Sequence, residues 1–191
     1  MPDRLSYGEP MDDADPDILP DTKDWTWVLE RPCPECGYDA EAVARSEVAD
    51  RLRVNAEAWP RVLAADRASN RPDPQTWSPV EYACHVRDVH RVFDGRLQAM
   101  LAEDDPAFDN WDQDEAAVSG GYRSQQPDEV ATQLVDAAAA VADRYAGVRD
   151  DQWQRPGRRS NGSLFTVDTL ARYHLHDVEH HLADVRRHST G

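Results

Sequence analysis

Residues 77–85 read WSPVEYACH and contain a strong signal for the start of a helix. Ser78 is a favourable N-cap, Pro79 suits the first helical position, and Glu81 stands where a capping box requires an acidic residue. The stretch therefore predicts a helix that continues to about residue 102. On a helical wheel of about 100° per residue, His85 lies close to the centre of the apolar face, so its imidazole is expected to point inward.

Three further segments show helical spacing of apolar residues. They cover roughly residues 40–66, 127–148 and 163–187, and the first is expected to bend or restart at Pro60. The connections DDPAFDNWDQDEA and DQWQRPGRRSNGS are expected to be irregular, and no segment shows the alternation typical of a strand. Four long helices with connections of this size predict an all-α protein with an antiparallel four-helix bundle.

The domain organisation follows from a change in composition. Residues 1–37 are rich in Asp and Pro and lack periodicity, so we interpret them as an extended acidic leader whose end is anchored by apolar residues of the WTWVL stretch. The bundle is then expected to span residues 38–191. The length of 191 residues suits one domain with a proper core.

The charge, the apolar runs and the cysteine count of the chain limit its expected partners and its setting. Its formal net charge is -16, and Lys23 is the sole lysine, so binding to nucleic acid is not expected. No apolar run is long enough to span a membrane, so no membrane partner is expected either. The acidic N-terminus is unlike a secretory signal, and the three cysteines are an odd number. These features favour a reduced, cytoplasmic setting.

The last helix carries the stretch YHLHDVEHHLADV at residues 173–185. On the wheel, His174, Asp177 and His181 lie towards the apolar face, whereas His176 and His180 fall on the opposite side. His174, Asp177 and His181 are therefore expected to point inward. The other two histidines are expected to face away from the core.

The inward histidines and aspartate allow two kinds of site. Asp177 and His181 lie one helical turn apart and, with His85 from the facing helix, could hold a divalent metal with positions open for water or substrate. The alternative is a metal-free cluster in which these groups satisfy one another through hydrogen bonds. The sequence HDVEH at 176–180 also fits the pattern of inverted zinc proteases, with Glu179 activating water, but the outward direction of its histidines argues against that interpretation.

The chain resembles the DinB-like superfamily of four-helix bundles, on the motifs WSPVEYACH at 77–85 and HHLADV at 180–185. The resemblance implies a divalent metal held by His85 and His181. The family's third ligand, usually His and sometimes Glu, stands four residues before His181, where this chain has Asp177. A shifted arrangement would use His176 and His180, and His174 is a further alternative.

Members of this superfamily include mycothiol-dependent maleylpyruvate isomerases and bacillithiol transferases. The resemblance therefore implies a metal-dependent transferase or isomerase that takes a low-molecular-weight thiol and an electrophilic substrate, with zinc or nickel as the metal. Hydrolase activity is a further option. The alternative is a non-catalytic bundle whose metal or polar cluster is structural, and a homodimer is compatible with either interpretation.

The stretch CPECG at 33–37 is half of a zinc-ribbon signature. Cys84 could supply a third thiolate, and His176 or His180 could complete a Cys3His set. A redox role and inert thiols remain alternatives, although the βαβ context typical of redox motifs is missing.

Two surface segments are candidates for lining a substrate pocket. Trp111, Asp112 and Asp114 follow the second helix near the expected metal. Arg158 and Arg159 form a compact basic spot that could receive a carboxylate-bearing substrate, although such arginines more often pair with surface carboxylates.

Overall fold

The computed structural model describes Ile18 and residues 23–188. Five helices are present in this part of the chain: α1 (Val48–Leu63), α2 (Pro79–Ala102), α3 (Gln113–Ser119), α4 (Pro127–Ala146) and α5 (Val167–His188). The four long helices form the bundle, in which α1 and α2 both pack against α4 and against α5. The predicted all-α four-helix bundle is confirmed. None of the described helices combines the length and the apolar character that a membrane crossing requires.

The predicted capping box opens α2. Ser78 Oγ accepts a hydrogen bond from the Glu81 backbone N–H, and the Glu81 carboxylate accepts one from the Ser78 backbone N–H at 2.8 Å. Arg71 also binds this carboxylate, and the two side chains are only 8% and 3% exposed. Because the ion pair is buried and joins the preceding loop to the first turn, it fixes where α2 begins.

The helix boundaries differ from the sequence prediction in three places. The last helix begins at Val167 rather than near residue 163. The first helix begins at Val48, after a short 3-10 turn at Arg45–Glu47, and it runs through Pro60 without restarting. The connection between α2 and α4 was expected to be irregular, but it contains α3. Asp112 caps α3 by accepting hydrogen bonds from the backbone N–H groups of Asp114 and Glu115, both at 3.0 Å.

A small sheet closes one end of the bundle, where the sequence analysis expected no strand. It consists of β1 (Ala107–Phe108), β2 (Pro156–Arg159) and β3 (Leu164–Thr166) in that order, with β1 parallel and β3 antiparallel to β2. Strands of two to four residues are too short to show alternation, which is why the prediction was wrong. Gly157 allows close packing, because a Cβ there would lie 2.7 Å from Cγ of Met100 and 2.9 Å from Cε1 of Phe108.

Residues 25–40, here called the N-terminal arm, pack along α5. The arm begins with a 3-10 turn at Trp25–Leu29, and Val28 and Cys33 are buried in the protein core. Tyr38 Oη donates a hydrogen bond to the backbone carbonyl of Arg172 in α5 at 2.6 Å. Residues 1–17 and 19–22 of the predicted leader lie outside the described residues.

Two histidines, one from α2 and one from α5, are in contact inside the bundle. Nδ1 of His90 in α2 lies 3.0 Å from Nε2 of His174 in α5, both rings are fully buried, and Phe93 stacks on His174. Burial lowers the pKa of His90 to about 4 and holds the pKa of His174 well below its usual range, so the pair is neutral near pH 7. On a helical wheel of α2, His90 lies off the apolar face. It is buried because the neighbouring elements cover more of α2 than one apolar stripe.

Candidate metal centre

The structure brings His85, Asp177 and His181 together. One ligand atom from each lies within 4.8 Å of those of the other two. Oδ1 of Asp177 is 3.4 Å from Nε2 of His85 and 3.6 Å from Nε2 of His181. Two atoms that each bind one tetrahedral ion at about 2.1 Å lie roughly 3.4 Å apart. The spacing across α2 and α5 therefore fits a shared divalent ion.

Several polar atoms of this group lack hydrogen bonds. Both ring nitrogens of His85 and Oδ1 of Asp177 are buried. None of these three atoms has an aligned hydrogen-bond partner among the described residues. Leaving a buried polar atom unpaired costs about 1–3 kcal/mol. A metal-free cluster would be expected to satisfy these atoms internally. The arrangement therefore fits metal ligands better than a hydrogen-bonded cluster.

The protonation states also suit a metal. Burial, and after it the proximity of His181, lowers the pKa of His85, which keeps the His85 imidazole neutral. Burial opposes ionisation of Asp177, but the histidines around it outweigh this effect and hold the pKa of its carboxyl well below its usual range. Neutral imidazoles and ionised carboxylates are the forms that bind divalent ions.

Neighbouring side chains fix the orientation of the two imidazoles. Oδ2 of Asp184 lies 3.4 Å from Nδ1 of His181, which leaves Nε2 of that ring directed at Asp177. Trp111 stacks on the ring of His85 with 5.4 Å between centroids, and Trp77 packs against the same ring. Such outer contacts hold ligands in the orientation that a metal requires.

A pocket of about 250 Å³ opens beside Asp177 and His181. Its wall combines aromatic rings with carboxylates and other polar groups, contributed by Trp25, Trp77, Tyr82, Asp114, Tyr173 and Asp184 among others. A ligand bound in this pocket would lie next to the group of three residues.

The residues predicted to line a pocket fall into different roles. Asp114 lines it, Trp111 packs on His85, and Asp112 serves as the N-cap of α3. Arg158 pairs with Asp105, and Arg159 donates hydrogen bonds to Asn161 and Ser163. Neither arginine is among the residues that line this pocket.

A second group joins Cys33 and Cys36 of the N-terminal arm to His176 and His180 of α5, again with ligand atoms within 4.8 Å of one another. Cys84, the predicted third thiolate, is not in this group and is buried in α2. The sequence did contain a signal for the observed set, because CxxC followed by HxxxH has Cys2His2 spacing.

The histidines that were expected to face away from the core are buried. His176 is 3% and His180 is 6% exposed, because the N-terminal arm covers that side of α5. Glu179, the catalytic base in the inverted-protease interpretation, instead binds Arg51 through two hydrogen bonds of 2.8 and 2.9 Å. His174, an alternative metal ligand, is paired with His90.

Comparisons with known proteins agree with this architecture. The chain is similar in structure to YfiT from Bacillus subtilis, described as a probable metal-dependent hydrolase with an unusual four-helix bundle topology. The match has a TM-score of 0.67 and 16% sequence identity, and it covers 78% of this chain and 91% of YfiT, which shows a shared fold. No curated protein matches the sequence. The family model of the DinB superfamily matches residues 49–185, and the chain therefore belongs to the DinB superfamily.

Proposed function

We propose that the protein is a divalent-metal-dependent enzyme, a transferase or isomerase that joins a low-molecular-weight thiol to an electrophilic substrate. The observation that carries the proposal is the group of His85, Asp177 and His181, whose ligand atoms have the spacing of metal ligands beside a pocket. Both ring nitrogens of His85 and Oδ1 of Asp177 are buried without an aligned hydrogen-bond partner among the described residues. Zinc or nickel suits two imidazoles and a carboxylate. Bound there, such an ion lowers the pKa of a coordinated thiol or water and supplies a nucleophile near neutral pH.

The chain's own residues would prepare this site in two ways. Three protein ligands leave a coordination position for a small molecule, as catalytic sites require. The rings of Trp77 and Trp111 keep water away from His85, while Asp184 orients His181. The pocket volume is slightly below the roughly 300–1,000 Å³ of typical ligand pockets. It therefore suits the reacting end of a thiol and its acceptor, with the remainder of a larger thiol outside.

A hydrolase is the second candidate. YfiT, which shares the fold, is described as a probable metal-dependent hydrolase. In this chain Asp114 lines the pocket, and a carboxylate near a coordinated water can act as a general base. The two candidates share the metal centre and differ in the nucleophile.

Turnover assays with metal-loaded protein separate the candidates. A panel of low-molecular-weight thiols with electrophilic acceptors should give thiol-dependent product, whereas ester and amide substrates without thiol test for hydrolysis. His85→Ala should lose the activity together with the ion, and His188→Ala, which removes an exposed histidine outside both groups, should keep both. Metal binding without turnover on either panel would favour a structural role for the ion.

A further inference from the structure

We propose that Cys33, Cys36, His176 and His180 form a structural zinc site that fastens the N-terminal arm to α5. This site is separate from the group at His85 and does not depend on the proposed function. The arm supplies two thiolates and the helix supplies two imidazoles, so the ion would cross-link segments about 140 residues apart in the sequence.

The distances and the local backbone suit tetrahedral zinc. Sγ of Cys33 lies 3.7 Å from Nδ1 of His180. A sulfur at about 2.3 Å and a nitrogen at about 2.1 Å from one tetrahedral ion are roughly 3.6 Å apart. The CPECG turn is closed by a hydrogen bond of 2.8 Å from the Gly37 N–H to the Cys33 carbonyl, and Gly37 has a φ of +76°. Glycine adopts this conformation readily, which allows two thiols to face one point.

The two imidazoles present atoms that need a partner. Nε2 of His176 is buried and has no hydrogen-bond partner among the described residues. Nε2 of His180 lies 3.5 Å from carboxylate oxygens of both Glu35 and Asp184, which leaves its Nδ1 directed at Cys33. A histidine ligand commonly has a carboxylate on its second nitrogen, because that contact fixes the ring and raises its basicity.

The ligand set identifies a structural site. Two cysteines and two histidines fill all four positions of tetrahedral zinc, which leaves no open position for a substrate. Cys33 is 1% exposed, so its thiol is poorly placed for exchange with redox partners in solution. A disulfide between Cys33 and Cys36 would leave both imidazoles without the metal ion that their positions suit.

This site would also set one wall of the pocket. The ring of Trp25 in the arm lies 5.1 Å from that of His180 and 5.6 Å from that of His176, and Trp25 lines the pocket. Asp184 contacts both His180 of this site and His181 of the other group. Loss of the ion would therefore weaken the attachment of the arm to α5 on this side of the pocket.

Native mass spectrometry and cobalt substitution of the full chain test the proposal. Protein purified without added metal should carry two ions, and Cys33→Ser/Cys36→Ser should lose one. Cys84→Ala, which removes the remaining cysteine, should keep two. With Co²⁺ in place of zinc, wild type and His85→Ala should show thiolate-to-cobalt charge-transfer absorption, which the double variant should lack.

The cobalt spectrum distinguishes this site from the proposed catalytic one, because the group at His85 contains no sulfur. An empty catalytic group would give one ion per chain with the thiolate absorption retained, which supports the structural site and refutes the proposed function. Absence of that absorption in wild-type protein with reduced thiols would overturn the proposal even if the double variant failed to fold. A double variant that keeps the full metal content and the absorption would also overturn it.

Discussion

Replacing His85 by leucine should separate the stability of the apoprotein from its response to metal. The imidazole is 1% exposed, and leucine has a similar volume, so the change opens no large cavity. It removes two unpaired nitrogens, each worth about 1–3 kcal/mol, but it also removes the 3.4 Å contact with Asp177. We expect the free energy of unfolding of the apoprotein to be unchanged or raised by up to about 2 kcal/mol. That change is a rise in Tm of at most roughly 8 °C for a chain of this size.

The response to metal should be lost in the same variant. At a free-ion concentration of about 100 times Kd, binding stabilises a folded protein by about 2.7 kcal/mol, or roughly 5–11 °C in Tm. Differential scanning calorimetry of wild type and His85→Leu would measure this shift as the difference between the two proteins, since the second site contributes equally to both. His188→Leu is the matched control and should keep the full shift. If His85→Leu keeps the shift, or if its apoprotein is destabilised by several kcal/mol, the assignment of His85 as a metal ligand with unpaired nitrogens is wrong.

Three further predictions concern the scaffold. Glu81→Ala removes the carboxylate from a buried ion pair with Arg71, so chemical denaturation should show a loss of about 3–5 kcal/mol, and a loss below 1 kcal/mol would contradict the structure. Gly157→Ala places a methyl group against tightly packed neighbours and should lower the free energy of unfolding by about 1–3 kcal/mol. Gly95→Ala, which has open space around it in the middle of α2, should raise that free energy by roughly 0.5–1 kcal/mol. Equal effects of the two substitutions would refute the packing argument. The pKa of His90 falls from 6.5 in the unfolded chain to about 4 in the folded protein. The contribution of His90 to the free energy of unfolding is therefore complete above pH 6.5, and on the order of 3 kcal/mol is lost as the pH falls towards 4. His90→Asn should show a correspondingly shallower decline in unfolding free energy between these pH values, and an identical decline would show that His90 does not titrate in this way.

The sequence was most informative where a local rule and the helical period agreed. Ser78 and Glu81 predicted the start of α2 correctly, because a capping box depends only on residues within one turn. The wheel also placed His85, Asp177 and His181 on facing surfaces, and the structure brings these three residues together. Their role as metal ligands stays a prediction.

Features that depend on distant segments were not predictable in the same way. A helical wheel treats the side away from the bundle as solvent, so it could not show that the N-terminal arm buries His176 and His180. For the same reason Cys84 was predicted to be the third thiolate. In the structure Cys84 is buried in α2 and does not belong to the group of Cys33 and Cys36. Burial of His176 and His180 is set by contacts across more than 100 residues of sequence, which local periodicity does not contain.

Anomalous diffraction from crystals of protein purified without added metal would test the central claim most directly. Data on both sides of the absorption edge of the bound element should give a peak about 2 Å from Nε2 of His85, a carboxylate oxygen of Asp177 and Nε2 of His181. A map without a peak among these atoms, or with hydrogen bonds joining them in its place, would contradict the assignment of a metal centre to this bundle.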